Sequence, residues 1–298
     1  MGARSAVLIT GIAAVAGCMG GEDTRSADTA DAAPNVVSLS ATEYAISAPD
    51  SIPAGWTTFR LANRGGEVHY GHIVSLDSGR TQPDLVTAYL EAIRTSGPRP
   101  AWVKRFGGPG GTAPGDSSNV TQHLEPGSYI WICPVEDDSG SPHFAKGEVK
   151  QFVVYAVAQD AAAPTAAPAA DAAIRLTDFA FAFEPPLKAG RHTIRVENAG
   201  SEPHDVGLLK LAPGRTIEEV QAWLNPERAR RSDDAKEPPP PLETIGSVGG
   251  GIAAIAPGMS AYFETDLTPG DYVLFCMVTA PDGRSHIEHG MIQRVRID

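Results

Sequence analysis

The chain has only three cysteines in 298 residues, at positions 18, 133 and 276, so the densely cross-linked architecture of small exported domains is excluded. Positive charge is scarce: 24 Lys and Arg stand against 36 Asp and Glu, a formal net charge of -12. That balance disfavours phosphate backbones and anionic headgroups and removes nucleic acid from the expected partners. After residue 17 no apolar run approaches the roughly 20 residues that cross a bilayer as a helix. No HExxH segment or Ser/His/Asp arrangement offers hydrolytic chemistry. The glycine tract at 107–111 leads into no helix, so it reads as a loop between strands rather than a phosphate cradle.

What is present begins at the N-terminus. Arg4 supplies a positive flank, Ala6 to Gly17 form a short apolar stretch, and Val15-Ala16-Gly17-Cys18 closes it. This ending resembles the lipobox of bacterial lipoproteins, and the resemblance implies cleavage before Cys18 and acylation of that cysteine. The expected location is then the periplasmic or cell-surface side of a membrane, held there by a lipid. An ordinary secretory signal or a retained anchor is the alternative.

The length suits two domains, and the sequence repeats itself. Asn63 and Asn198, His69 and His204, and Tyr44 and Phe179 are each 135 positions apart. Further on, Pro114-Gly115 and Pro257-Gly258, Pro126-Gly127 and Pro269-Gly270, Cys133 and Cys276, and His143 and His286 are each 143 apart. The second copy therefore carries an eight-residue excess in its middle, where the proline tract 238–241 lies. The expected organisation is a signal peptide over 1–18, a flexible tether over 19–35, a first domain over 36–155, an Ala/Pro-rich linker over 156–173 and a second domain over 174–298.

Within each copy the apolar pattern alternates, as in Thr57–Asn63 and His192–Asn198, and Pro-Gly turns precede Tyr129–Cys133 and Tyr272–Cys276. One helix per copy is expected, over 81–95 and 216–230, each opened by a threonine and acidic residues. The expected fold is all-β: two tandem β-sandwiches, each with one inserted helix.

Strand alternation turns Cys133 and Cys276 toward the interior with aromatic and aliphatic neighbours, which alone suits an ordinary buried cysteine. The repeated surroundings point elsewhere. Each cysteine is followed ten positions on by a histidine, and His69 or His204 lies upstream at the edge of a strand. His204, Cys276, His286 and Met291 supply two imidazoles, a thiolate and a thioether, the donor set of a blue-copper centre. With Pro269-Gly270 before the cysteine strand and Gly290-Met291 after it, each copy resembles a cupredoxin, the Greek-key sandwich of plastocyanin and azurin. The resemblance implies copper at His204, Cys276, His286 and Met291, and more weakly at His69, Cys133, His143 and Glu148. Glu148 stands where Met291 stands, and this hard donor would favour Cu(II) or Zn(II), lower the potential, or leave the site empty. His72 and His289 are alternative ligands without a repeated counterpart; His123 and His192 read as surface residues.

The expected function is a membrane-tethered electron carrier with a redox partner protein that the sequence does not name. The alternatives are a non-redox envelope module and a copper storage or delivery protein. An enzyme is not expected: Ile132 and Phe275 precede the cysteines where a bridging histidine would stand, and with the alternative ligands set aside only His123 and His192 remain for a catalytic copper.

Overall fold

The computed structural model describes residues 1–2, 33–158, 166–224 and 241–298. The signal segment with Cys18, most of the expected tether, part of the linker and Pro238 to Pro240 lie outside them.

In the first copy alternating apolar residues form β1 (Asn35–Thr42), β4 (Gly55–Asn63) and β7 (Ser117–Leu124), with the short β2 (Ala45–Ser47) at the edge. They face β3 (Ser51–Pro53), β5 (His72–Leu76), β6 (Val103–Gly107), β8 (Gly127–Ile132) and β9 (Val149–Tyr155) in a second layer. The inward side chains, among them Phe59, Leu61, Trp131 and Phe152, are almost fully buried between the layers. Trp131 stacks on Phe152 with ring centroids 4.8 Å apart, so the face of β8 that leads to Cys133 is packed by aromatic rings.

The second copy repeats the plan. Its β10 (Ala172–Thr177), β11 (Ala180–Glu184), β12 (Gly190–Asn198) and β15 (Ser260–Leu267) face β13 (His204–Leu211), β14 (Gly246–Ile255), β16 (Gly270–Phe275) and β17 (Ile292–Ile297). Parallel pairing of β1 with β4 recurs as β10 with β12. The all-β expectation holds, and among the described residues the helices lie in excursions between strands.

Helix α1 (Gln82–Arg94) starts where Thr81 and Asp84 form a capping box and packs Leu85 and Tyr89 over the outer face of its sheet. Its counterpart α2 is described over Ile217–Leu224, where Val220 is buried; the remainder of the expected 216–230 helix lies outside the described residues.

The copies are joined strand to strand. One sheet runs β11-β10-β12-β15-β7-β4-β1-β2 and the other β17-β16-β13-β14-β6-β5-β8-β9-β3. Tyr262 pairs with Thr121 in the first join, and Ile255 with Phe106 in the second. Pro109 and Ile252, equivalent residues of the repeat, face each other in an isolated bridge, so the join has a local two-fold character. The glycine tract makes this approach possible: a Cβ on Gly110 would sit 2.9 Å from the Gly251 carbonyl carbon, and one on Gly107 2.8 Å from Ile255 Cγ2.

Candidate metal centres

Strand ends place each side chain. Cys133 and Cys276 directly follow β8 and β16, Glu148 and Met291 directly precede β9 and β17, and His204 opens β13. His69 lies just before β5, fixed by a bridge to Thr112. The nine-residue loop between each cysteine and its histidine is folded back by its own backbone: His143 N–H donates to the Val135 carbonyl and His286 N–H to that of Val278, both at 2.8 Å. Cys133 N–H donates to the Glu148 carbonyl at 3.1 Å, and Cys276 N–H to the Met291 carbonyl at 3.1 Å. Glutamate and methionine thus occupy one backbone position in the two copies.

In the second copy Cys276 Sγ is 3.3 Å from His286 Nδ1 and 3.8 Å from His204 Nδ1, and the two Nδ1 atoms are 3.0 Å apart. Met291 is fully buried in the same apolar cluster as Cys276. In the first copy Cys133 Sγ is 3.6 Å from His143 Nδ1. Glu148 takes part directly: its carboxylate oxygens lie 2.8 and 2.9 Å from His69 Nδ1, and Oε2 lies 2.9 Å from His143 Nδ1. All the cysteines, histidines and the glutamate of both groups are 0% exposed, and within each group one donor atom per residue lies within 4.8 Å of the others. Each group could hold a metal ion.

Backbone amides aim at sulfur in both centres, Tyr70 N–H at Cys133 (3.3 Å) and Asp205 N–H at Cys276 (3.4 Å). Burial pushes both thiols well above the usual range, with the charges of Glu148 and Asp205 adding to it. A bound cation would have to displace those protons, as metal thiolates do. Burial depresses His204 and brings His286 down to about 4, His204 contributing next to the latter, so both imidazoles stand neutral, the form a metal requires. His69 differs: burial pulls it down, but Glu148 and Glu43 outweigh burial and raise it.

Two packed sheets, a His/Cys/His cluster closing one end, and the same backbone turn behind it in both copies decide the architecture. Each sandwich is cupredoxin-like. No protein-family model matches the chain, and no curated protein sequence does. Among solved structures, dithionite-reduced auracyanin from the photosynthetic bacterium Roseiflexus castenholzii matches with 20% identity over 43% of this chain and 100% of its own, at a TM-score of 0.27. A multicopper oxidase matches with 13% identity over 88% of each chain at 0.25. A copper-containing nitrite reductase from Thermus scotoductus matches with 13% identity over 89% of this chain and 62% of its own at 0.24. These likenesses concern the fold alone. They nonetheless overturn the expectation that the chain is not an enzyme: an oxidase and a reductase are among the structures it matches over most of its length, so the cupredoxin pair does not carry that exclusion.

The outward face of each histidine is the part that sequence reading missed. Nε2 of His204 meets Asp178 at 3.0 Å and that of His286 meets Glu202 at 3.0 Å. In the first copy His69 Nε2 lies 3.6 Å from Glu43 and His143 Nε2 2.7 Å from Glu67. Carboxylates in this position fix the ring and its tautomer so that Nδ1 faces inward. The signal was available, because Glu43 and Asp178, like Glu67 and Glu202, keep the 135-residue repeat. Asn63 and Asn198 order the intervening loops, each bonding two carbonyls and the N–H two residues on.

The remaining histidines stay out of both clusters. His72 is buried at the join, held near 3 by burial and then by Arg105. His289 stacks on Phe179 (4.5 Å), whose edge meets His286 (5.0 Å). Lys146 covers Tyr44 in the same manner in the first copy, and Tyr44 meets His143 at 5.0 Å. His123 lies on β7 beside Glu125, and His192 on β12 pairs with Asp171. Cys133 and Cys276 form no disulfide.

Proposed function

We propose that the chain is a copper-binding electron-transfer protein whose working centre is His204, Cys276, His286 and Met291. The observation that carries this reading is the convergence of two neutral imidazole Nδ1 atoms on one buried cysteine sulfur, with a buried methionine at the adjoining strand start. Sulfur donors suit Cu(I) and imidazole suits both oxidation states; copper held there would supply one-electron chemistry. The protein supplies geometry and insulation. Asp178 and Glu202 hold the rings, the Asp205 amide supports the thiolate, and the apolar cluster around Met291 excludes water. A donor set fixed before binding reorganises little when its charge changes, which is the property an electron carrier needs.

The reading places the protein outside the cytoplasm, tethered through lipidated Cys18, with a redox protein as its partner. Domain limits of 36–155 and 174–298 belong to the same proposal. The test is voltammetry of the copper-loaded protein. A reversible one-electron wave that disappears in Cys276→Ser supports the carrier, whereas tight copper binding without a reversible wave supports storage or delivery and contradicts it.

A further inference from the structure

The two centres match in backbone, outer carboxylates and aromatic cover, and differ at one donor. Glu148 is the difference. Its carboxylate is 0% exposed and reaches both imidazole Nδ1 atoms, Oε1 lying 2.8 Å from His69 and Oε2 2.9 Å from His143. A fully buried carboxylate converging with two ring nitrogens and a thiol sulfur on one point is a set of donors aimed at a shared cation.

Charge counting says what that is. Two neutral imidazoles, a thiolate and a carboxylate carry two negative charges, which a divalent ion cancels. His204, Cys276, His286 and Met291 carry one, which Cu(I) cancels and Cu(II) exceeds. Net charge in a buried site is costly, so the first centre suits an ion that stays divalent and the second one that alternates. Donor chemistry agrees: thiolate, imidazole and carboxylate together are zinc ligands, and four protein donors with no open position make the closed arrangement of structural zinc.

We propose that His69, Cys133, His143 and Glu148 form a redox-silent site for a divalent cation of the zinc class. Position gives it a role. His69 precedes β5, Cys133 follows β8 and Glu148 precedes β9, three adjacent strands of one sheet, with His143 starting the helical turn between the last two. An ion there cross-links three strands and adds its binding energy to folding. The proposal rests on the ligand reading of the first copy and is independent of whether copper occupies the second.

The test uses the full-length protein carrying Cys276→Ser, which disables the second centre, freed of metal and titrated with Zn(II) and with Co(II). One equivalent of Zn(II) should bind and raise the melting temperature, and one of Co(II) should give the visible spectrum of a tetrahedral thiolate complex. Glu148→Gln, which keeps size and loses charge, should weaken Zn(II) at least about tenfold, with Glu148→Asp recovering part of the loss. Failure to bind either ion, or Zn(II) affinity unchanged in Glu148→Gln, would overturn the proposal. Copper bound by the Cys276→Ser protein that cycles reversibly would overturn it as well. Cys133→Ser, tested for copper cycling in parallel, reads the second centre separately, so the two readings fail independently.

Discussion

One glycine in each copy shows how tightly His204 and His69 are set. A Cβ on Gly200 would lie 2.4 Å from Asp178 Oδ1 and 2.7 Å from His204 Nε2, and one on Gly65 would lie 2.4 Å from Glu43 Oε1 and 2.6 Å from His69 Nε2. The carboxylate and the ring meet over a space that only glycine leaves open. Asp178 is itself brought down to about 2, chiefly by its hydrogen bonds to Ser201 and His204 working against burial, so it is an anion at any working pH. Asp178→Asn keeps the shape and removes that charge. Its expected effect is a 10- to 100-fold loss of metal affinity at the second centre, about the usual range for such outer partners, with little change in fold. Competition against a chelator measures it; unchanged affinity would assign Asp178 to loop structure alone.

His72 sets a different residue-level expectation. Its folded value near 3 lies below the ordinary 6.5, so the unfolded chain binds the extra proton. Stability is therefore fully present above about pH 6.5 and is lost as pH falls toward 3, at up to roughly 1.4 kcal/mol per pH unit. Asp205 opposes this between its ordinary 3.8 and its raised value of about 6, where the native state holds the extra proton. The comparison is thus between the parent and His72→Gln: denaturant unfolding from pH 7 to pH 4 should show a shallower loss in the variant, and equal slopes would contradict the assignment.

At the level of elements, much was legible because local chemistry and tertiary need agree. Thr81 caps α1 and Asp84 completes the box, so the helix starts where the sequence places it. Pro-Gly turns deliver β8 and β16, and the strand period faces Tyr129 and Trp131 inward beside Cys133. The edges of the sheets were not legible. β14 and β6 pair through residues whose spacing carries no signal for a partner in the other copy, and an Ala/Pro-rich linker suggests independent units. Glycines at 107–111 and 249–251 read as loops because their function, close backbone approach, needs the second copy in place. The outer carboxylates stayed hidden for a related reason: Glu43 and Glu67 come from separate loops that converge only in the fold. Trp56 packs edge to face on Tyr262 across the join, with centroids 5.6 Å apart. Tyr262→Ala should lower stability by about 1–3 kcal/mol and expose the join; calorimetry would then resolve two transitions where the parent gives one. Two transitions already in the parent would show that the copies fold separately.

For the whole molecule, the sheets shared by the two copies place two metal-type centres on one continuous scaffold among the described residues. Duplication kept the scaffold, the backbone turn at the cysteine and the carboxylates behind the histidines. The last donor diverged, Met291 in one copy and Glu148 in the other, and the two centres thereby acquired different charge. The electron-carrier reading stands on the second centre. The most direct measurement is titration of the purified protein with Cu(II), following visible absorption and bound copper together in the parent and in Cys276→Ser. One equivalent of copper should develop an intense thiolate-to-copper band that Cys276→Ser abolishes. A parent that stays colourless at stoichiometric copper, or a band that survives Cys276→Ser undiminished, would contradict the assignment.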